Sequence, residues 1–171
     1  QACALVIQAS GALLHELPED APCWSQDAAF SAANSNLDRT PAIASMWRYI
    51  ADPGEENRAR LPHRLWLLSP SLRDVGIGST GFASCTQVID GARRDPADPA
   101  WVAWPPPGPV PAPYTVLRDG GWSVQSSVIN MSRATVSVTH NGAEMMISPR
   151  YLTAGGGASW GVAFDLVGWV P

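Results

Sequence analysis

The chain has 171 residues, 46% of them hydrophobic and only 15% charged, with a formal net charge of -4. That length is enough for one domain, or two small ones, with a real buried core. The acidic balance and lack of a basic block exclude nucleic-acid binding through phosphates, and no apolar run is long enough to span a membrane.

Ala2 to Leu14 is rich in Ala, Leu, Val and Ile and reads as a buried helix, with Gly11 tolerated inside it and His15 at its C-terminal end. The stretch has no basic n-region, so it is read as a mature or truncated start and not as a signal peptide. Glu16 to Pro22 is a loop. Ser25 is placed to cap a helix over Gln26 to Asn34, which Ser35-Asn36-Leu37 ends. Thr40, with Pro41 after it, is placed to cap a helix reaching Ala51, with Ile43, Met46, Trp47 and Ile50 on one face. Asp52-Pro53-Gly54 stops it.

Glu55-Glu56 reads as a solvated charge run. His63 and Arg64 stand between Pro62 and the apolar run Leu65 to Leu68. Strands are expected over Asp74 to Gly78, Phe82 to Ile89 and Trp101 to Trp104. The proline-rich run 105–113 favours extended polyproline II and reads as a rigid spacer, with docking to a partner domain as its other role. Beyond it, strands are expected over Tyr114 to Leu117, Trp122 to Val128, Ala134 to His140, Ala143 to Ile147 and Trp160 to Val167. Asn141-Gly142 is a hairpin signal, and Gly155-Gly156-Gly157 is a flexible turn or a close backbone approach.

Cys3, Cys23 and Cys85 leave at least one thiol unpaired if a disulfide forms. One disulfide in an oxidising compartment and three small buried thiols are both open readings. No Cys/His cluster has metal-site spacing. Asn130-Met131-Ser132 fits a glycosylation sequon, unused in a bacterial protein. Of the 8 Trp residues, Trp66, Trp101, Trp104, Trp122, Trp160 and Trp169 form either core anchors or a glycan- or partner-binding stripe.

Three segments within residues 2–104 resemble the bacterial branch of the CAP superfamily, the cysteine-rich secretory, antigen 5 and pathogenesis-related 1 proteins. Ala4 to His15 ends as that family's helix does, with an early histidine. Cys23-Trp24-Ser25 is followed, an alanine-rich helix later, by Ser35-Asn36-Leu37. Trp47 to Gly78 carries a helix, an Asp-Pro-Gly loop, His-Arg, Trp-Leu-Leu-x-Pro and Val-Gly-x-Gly. Trp104-Pro105-Pro106-Pro107-Gly108, followed by Trp122-Ser123 and a β-rich tail, also occurs in some bacterial members.

The resemblance implies an α+β fold, a CAP-like α-β-α sandwich (residues 1–104), joined by a Pro-rich linker (105–113) to a small antiparallel β-rich module (114–171). It implies a location outside the cytoplasm, whether periplasmic, cell-surface or secreted. The family's groove carries two histidines and two glutamates, and in some members binds a divalent metal, sterols, lipids or glycans. By match, the groove here holds His15, Ser35, Asn36, His63 and Arg64, with His15 and His63 as the two histidines. Asn34-Ser35-Asn36 replaces the family's Gly-Glu-Asn, Ile50 stands where many members have the second glutamate, and nothing here matches the helix that precedes the His15 helix. The acidic half of the tetrad is therefore gone.

With two imidazoles and no paired glutamates, a metal at His15 and His63 needs a third ligand from Asp52, Glu55 or Glu56. Ser35 is the nucleophile the alignment brings near both histidines. The plainer reading makes both histidines hydrogen-bonded residues of a relic groove. Arg64 is expected to bind an anion, to pair with Asp74 or Glu56, or to cap carbonyls. The function expected from all of this is a non-catalytic extracytoplasmic accessory or binding protein, without a cofactor, that packs against other protein subunits. An unpaired edge in its β-rich tail is a place for a partner's strand to add. The alternative is a groove protein that binds a divalent metal, lipid or glycan at His15 and His63, with weak hydrolase activity.

Overall fold

A computed structural model describes residues 1–89, 95, 98–111, 120–153 and 156–169. It is a mixed α+β structure with antiparallel sheets. The chain forms two compact units, one from Gln1–Ile50 and Ser71–Arg94, the other from Ala51–Pro70 and Asp95–Pro171. This division falls elsewhere than the expected boundaries at 104 and 113. The segment carrying His63 and Arg64 belongs with the C-terminal sheet, because Leu61 and Leu65 bury their side chains with Leu152, Ala158 and Ala163.

In the first unit, helix α1 (Ala2–Ser10) stops four residues short of the expected end. Gly11 adopts a left-handed φ of 68° and its N–H bonds to Ile7 O, which is a helix-terminating arrangement. Helix α2 (Gln26–Ala33) starts as expected, with Ser25 Oγ accepting from Ala28 N at 3.1 Å. Ser35–Asp38 does more than end that helix and forms a wholly buried strand, β1. With β2 (Gly76–Ser79) and β3 (Ser84–Gln87) it makes a three-stranded antiparallel sheet in the order β1-β3-β2.

Strand alternation separates the two faces of this sheet. Leu37 and Cys85 join Cys3, Ala4 and Ile7 of α1 and Ala32 of α2 in one apolar cluster, crossed by a Cys3–Cys85 disulfide. Cys23 is exposed and unpaired. The opposite face presents Asn36, Asp38, Ser84 and Thr86, all buried. Helix α3 (Ala42–Ala51) meets that face through Tyr49, whose hydroxyl donates to Asn36 O at 2.9 Å, and through Arg48, 2.6 Å from Asp38.

A polar sheet face selects the hydroxyl-bearing side of α3, so the expected apolar stripe is rotated. Ser45, Tyr49 and Ile50 are buried, whereas Ile43 is 88% exposed and Trp47 is also exposed. Thr40 does not cap this helix. Its hydroxyl donates to Asp38 at 2.7 Å, and Ala42 N is taken up instead by Ser79 Oγ at 3.1 Å.

Burial raises the Tyr49 pKa to about 12, although the Ser84, Ser45 and Thr86 hydroxyls pull it down. A folded pKa above the unfolded value of 10.0 means that this group's contribution is fully present below pH 10 and lost as pH rises toward 12. The difference corresponds to about 3 kcal/mol. An alkaline titration followed by circular dichroism is expected to show the first unit weakening in that window, and Tyr49→Phe to remove this part of the loss.

In the second unit, Glu55–Arg60 is a helix, α4, with Glu55 and Glu56 exposed as expected of a solvated charge run. Its acidic residues lie in the first turn and its basic ones in the last, in the sense the helix dipole favours. Leu61, left-handed at φ 50°, turns the chain into helix α5 (Pro62–Leu67), with Pro62 in its first turn. Strands β4 (Val102–Trp104), β5 (Trp122–Ser126), β8 (Ile147–Leu152) and β9 (Trp160–Leu166) form a four-stranded antiparallel sheet in the order β4-β5-β9-β8. Between them, β6 (Thr139–His140) and β7 (Ala143–Glu144) form the expected hairpin, with Asn141 and Gly142 both at positive φ.

Two strand expectations change. Ala134, Val136 and Val138 alternate in burial with their neighbours, but only Thr139–His140 forms a ladder. The alternation reports burial, whereas a ladder needs a partner strand alongside. The 143–147 segment divides between β7 and the start of β8. The expected strand Tyr114 to Leu117 lies outside the described residues.

One face of this sheet covers α5. Gln125 Nε2 donates to Leu65 O and Leu68 O, both at 2.9 Å, satisfying carbonyls at the end of the helix. Gly157 is a close backbone approach, since a Cβ there would stand 2.4 Å from Ser69 Cβ and 2.5 Å from Leu65 O.

Candidate functional site

Asp52 follows α3 in a left-handed conformation, φ 49°, and is fully buried. Its two carboxylate oxygens are both used. Oδ1 is 2.6 Å from His63 Nδ1, and Oδ2 accepts the Arg64 backbone N–H at 3.0 Å. Asp52 thus binds the first turn of α5 and orients the imidazole, whose side chain is 24% exposed. A carboxylate on Nδ1 directs Nε2 the other way round the ring, the arrangement of an oriented base or a metal-binding histidine.

Arg64 is 0% exposed. Its Nη1 donates to Gly121 O at 2.9 Å and Ser123 Oγ at 3.1 Å, with Gly120 O at 3.4 Å. Burial lowers its pKa to about 10; Asp52 and Asp165 act against this and Arg150 adds to it. The side chain stays charged at neutral pH and ties α5 to the turn before β5. Of the partners expected for it, the carbonyls are found; Glu56 pairs instead with Arg60 at 2.8 Å.

The other expected site residues lie in the first unit. His15 Nδ1 is 2.9 Å from Ala32 O in the last turn of α2, so it serves that helix end and not the end of α1. Ser35 and Asn36 are buried within β1. His15 and His63 are therefore each held by a different partner, within different units. Among the described residues, no three His, Cys, Asp or Glu side chains group as metal ligands.

The second unit also carries a groove of about 520 Å³, lined by Trp101, Trp104, Pro105, Pro107, Trp122 and Phe164 among others. Trp122 and Phe164 are cross-strand neighbours with ring centroids 6.1 Å apart. The described part of the Pro-rich run thus walls a groove, a role the spacer reading missed, and Gly108 at φ 103° turns it. The available signal was the clustering of Trp101, Trp104 and Trp122 around that run. On the other face of the sheet, Asp165 is bridged by Arg58 at 2.6 Å and Arg150 at 2.5 Å, joining α4 to β8 and β9.

No protein-family model, no curated protein and no solved structure matches this chain. No helix among the described residues is long and apolar enough to cross a membrane.

Proposed function

We propose that the chain is a non-catalytic accessory or binding protein acting outside the cytoplasm, where it packs against a larger protein assembly. The observation that carries this reading is the large apolar surface left in solvent. Ile43 and Phe82 in the first unit, and Val128 and Met146 in the second, are each at least 70% exposed. We read these exposed apolar side chains as contacts for a partner protein. The Trp- and Pro-lined groove adds anchoring chemistry of the sort interfaces favour. The Cys3–Cys85 disulfide supports an oxidising compartment. A first unit with α1 and α2 on one sheet face and α3 on the other is compatible with a CAP-like α-β-α layer.

Size-exclusion chromatography of the natively purified chain, with mass spectrometry of co-eluting proteins, tests the reading. The chain is expected in a stable assembly, and Val128→Glu and Met146→Glu are expected to release it with its fold intact. Elution without any partner protein would overturn it. The Asp52–His63 pair favours a second reading, in which His63 takes part in binding a divalent metal, lipid or glycan. Zinc titration by calorimetry, with His63→Gln as control, decides that case; absence of saturable heat would remove the metal.

A further inference from the structure

Among the described residues, the three-stranded sheet of the first unit has an open edge. In the four-stranded sheet, β8 carries Pro149, which has no N–H to offer, and β4 runs directly into Pro105. Proline at an edge is a common guard against added strands. In the three-stranded sheet, β1 is wholly buried. That leaves β2, with Val75 and Gly76 exposed and Ile77 55% exposed.

The ladder shows which backbone groups of β2 face outward. Val88 N donates to Asn34 O at 3.0 Å, one step beyond the Ser35↔Gln87 pair. Bonded and non-bonded pairs alternate in an antiparallel ladder, so Ser84 and Thr86 turn their amides and carbonyls toward β1. Cys85 and Gln87 turn theirs toward β2, where they meet Gly78 and Gly76. Thr80 N donating to Ala83 O at 2.8 Å fits the same phase. Ile77 and Ser79 therefore point their N–H and C=O groups away from β3, and no backbone group among the described residues bonds them.

We infer that this edge pairs with the same edge of a second copy, antiparallel about a two-fold axis at Ile77. The strand is self-complementary in that register. Ile77 exchanges both bonds with Ile77 of the second copy, and Val75 does so with its Ser79. Gly76 faces Gly78, and Asp74 faces the Thr80 hydroxyl, so no like charges meet. The two three-stranded sheets become one continuous sheet, an isologous contact closed by symmetry.

Sedimentation equilibrium on the purified full chain tests this. The wild type is expected to be dimeric at about 100 µM, a range in which even a modest dimer constant is visible. Ile77→Lys places charge on the edge, and Ile77→Pro removes the outward amide. Each is expected to weaken the dimer at least tenfold while the Cys3–Cys85 bond and the circular dichroism spectrum are retained. Hydrogen exchange at Ile77 and Ser79 is expected to be slow in the wild type and fast in Ile77→Lys. A monomeric wild type, or an Ile77→Lys variant as dimeric as the wild type, overturns the inference. A failure of Ile77→Pro to fold leaves Ile77→Lys to decide. A monomer would leave the accessory-protein reading standing, because that rests on co-elution with other proteins.

Discussion

Replacing Arg64 with Ala is expected to destabilise the second unit by about 3 to 5 kcal/mol, the range for breaking a buried charge network. The guanidinium has no access to solvent, and its removal strands Gly121 O and Ser123 Oγ in the interior. It also takes a positive neighbour from the buried Asp52 carboxylate. Arg64→Lys keeps the charge but not the planar fork that reaches several acceptors at once, and is expected to restore less than half of the loss. Urea denaturation followed by tryptophan fluorescence measures this in the right unit, because only Trp24 and Trp47 of the 8 Trp residues lie in the first. A midpoint unchanged in Arg64→Ala would mean that the carbonyls are satisfied without it.

Removing the Cys3–Cys85 disulfide is expected to act on the other unit. The bond joins α1 to the central strand across 82 residues of sequence. Loop-closure entropy for a ring of that size corresponds to about 4 to 5 kcal/mol of destabilisation on reduction. The apolar cluster around the bond is small, built largely from Ala and Cys side chains with Ile7 and Leu37, and has little reserve against that loss. Reduction, or Cys3→Ser with Cys85→Ser, is expected to open residues 1–50 to limited proteolysis while the tryptophan fluorescence of the second unit persists. Equal resistance in the oxidised and reduced chains would show that the helices hold the sheet without the bond.

Much of the local structure was legible in advance because it obeys short-range rules. The Ser25 cap, the Asp52-Pro53-Gly54 stop and the Asn141-Gly142 hairpin each depend on conformations available to a few neighbouring residues. The strands at 84–87, 102–104, 122–126 and 160–166 lie within their expected spans, and the one at 76–79 ends one residue beyond its own. The end of α1 was also local, but the left-handed Gly11 outweighed a composition that continued to favour helix.

The candidate site was less legible. His63 was singled out, but its partner Asp52 was seen as a helix stop and one of several candidate metal ligands. The carboxylate reaches Nδ1 only because the turn through Gly54, α4 and the left-handed Leu61 folds back on itself. Carbonyl capping was among the roles expected of Arg64, yet the carbonyls that receive it come from a segment more than fifty residues away.

By itself, the sequence determined the class of fold, the positions of most elements and the surplus of apolar surface, since backbone propensity, capping chemistry and composition act within a few residues of one another. Only the tertiary structure decided which faces met. The polar face of β1 and β3 turned Ser45 and Tyr49 inward and left Ile43 in solvent. The C-terminal sheet claimed α5, and the proline-rich run became the wall of a groove. Those outcomes depend on which surfaces complement each other over long separations in the chain, and short-range periodicity carries no record of that choice.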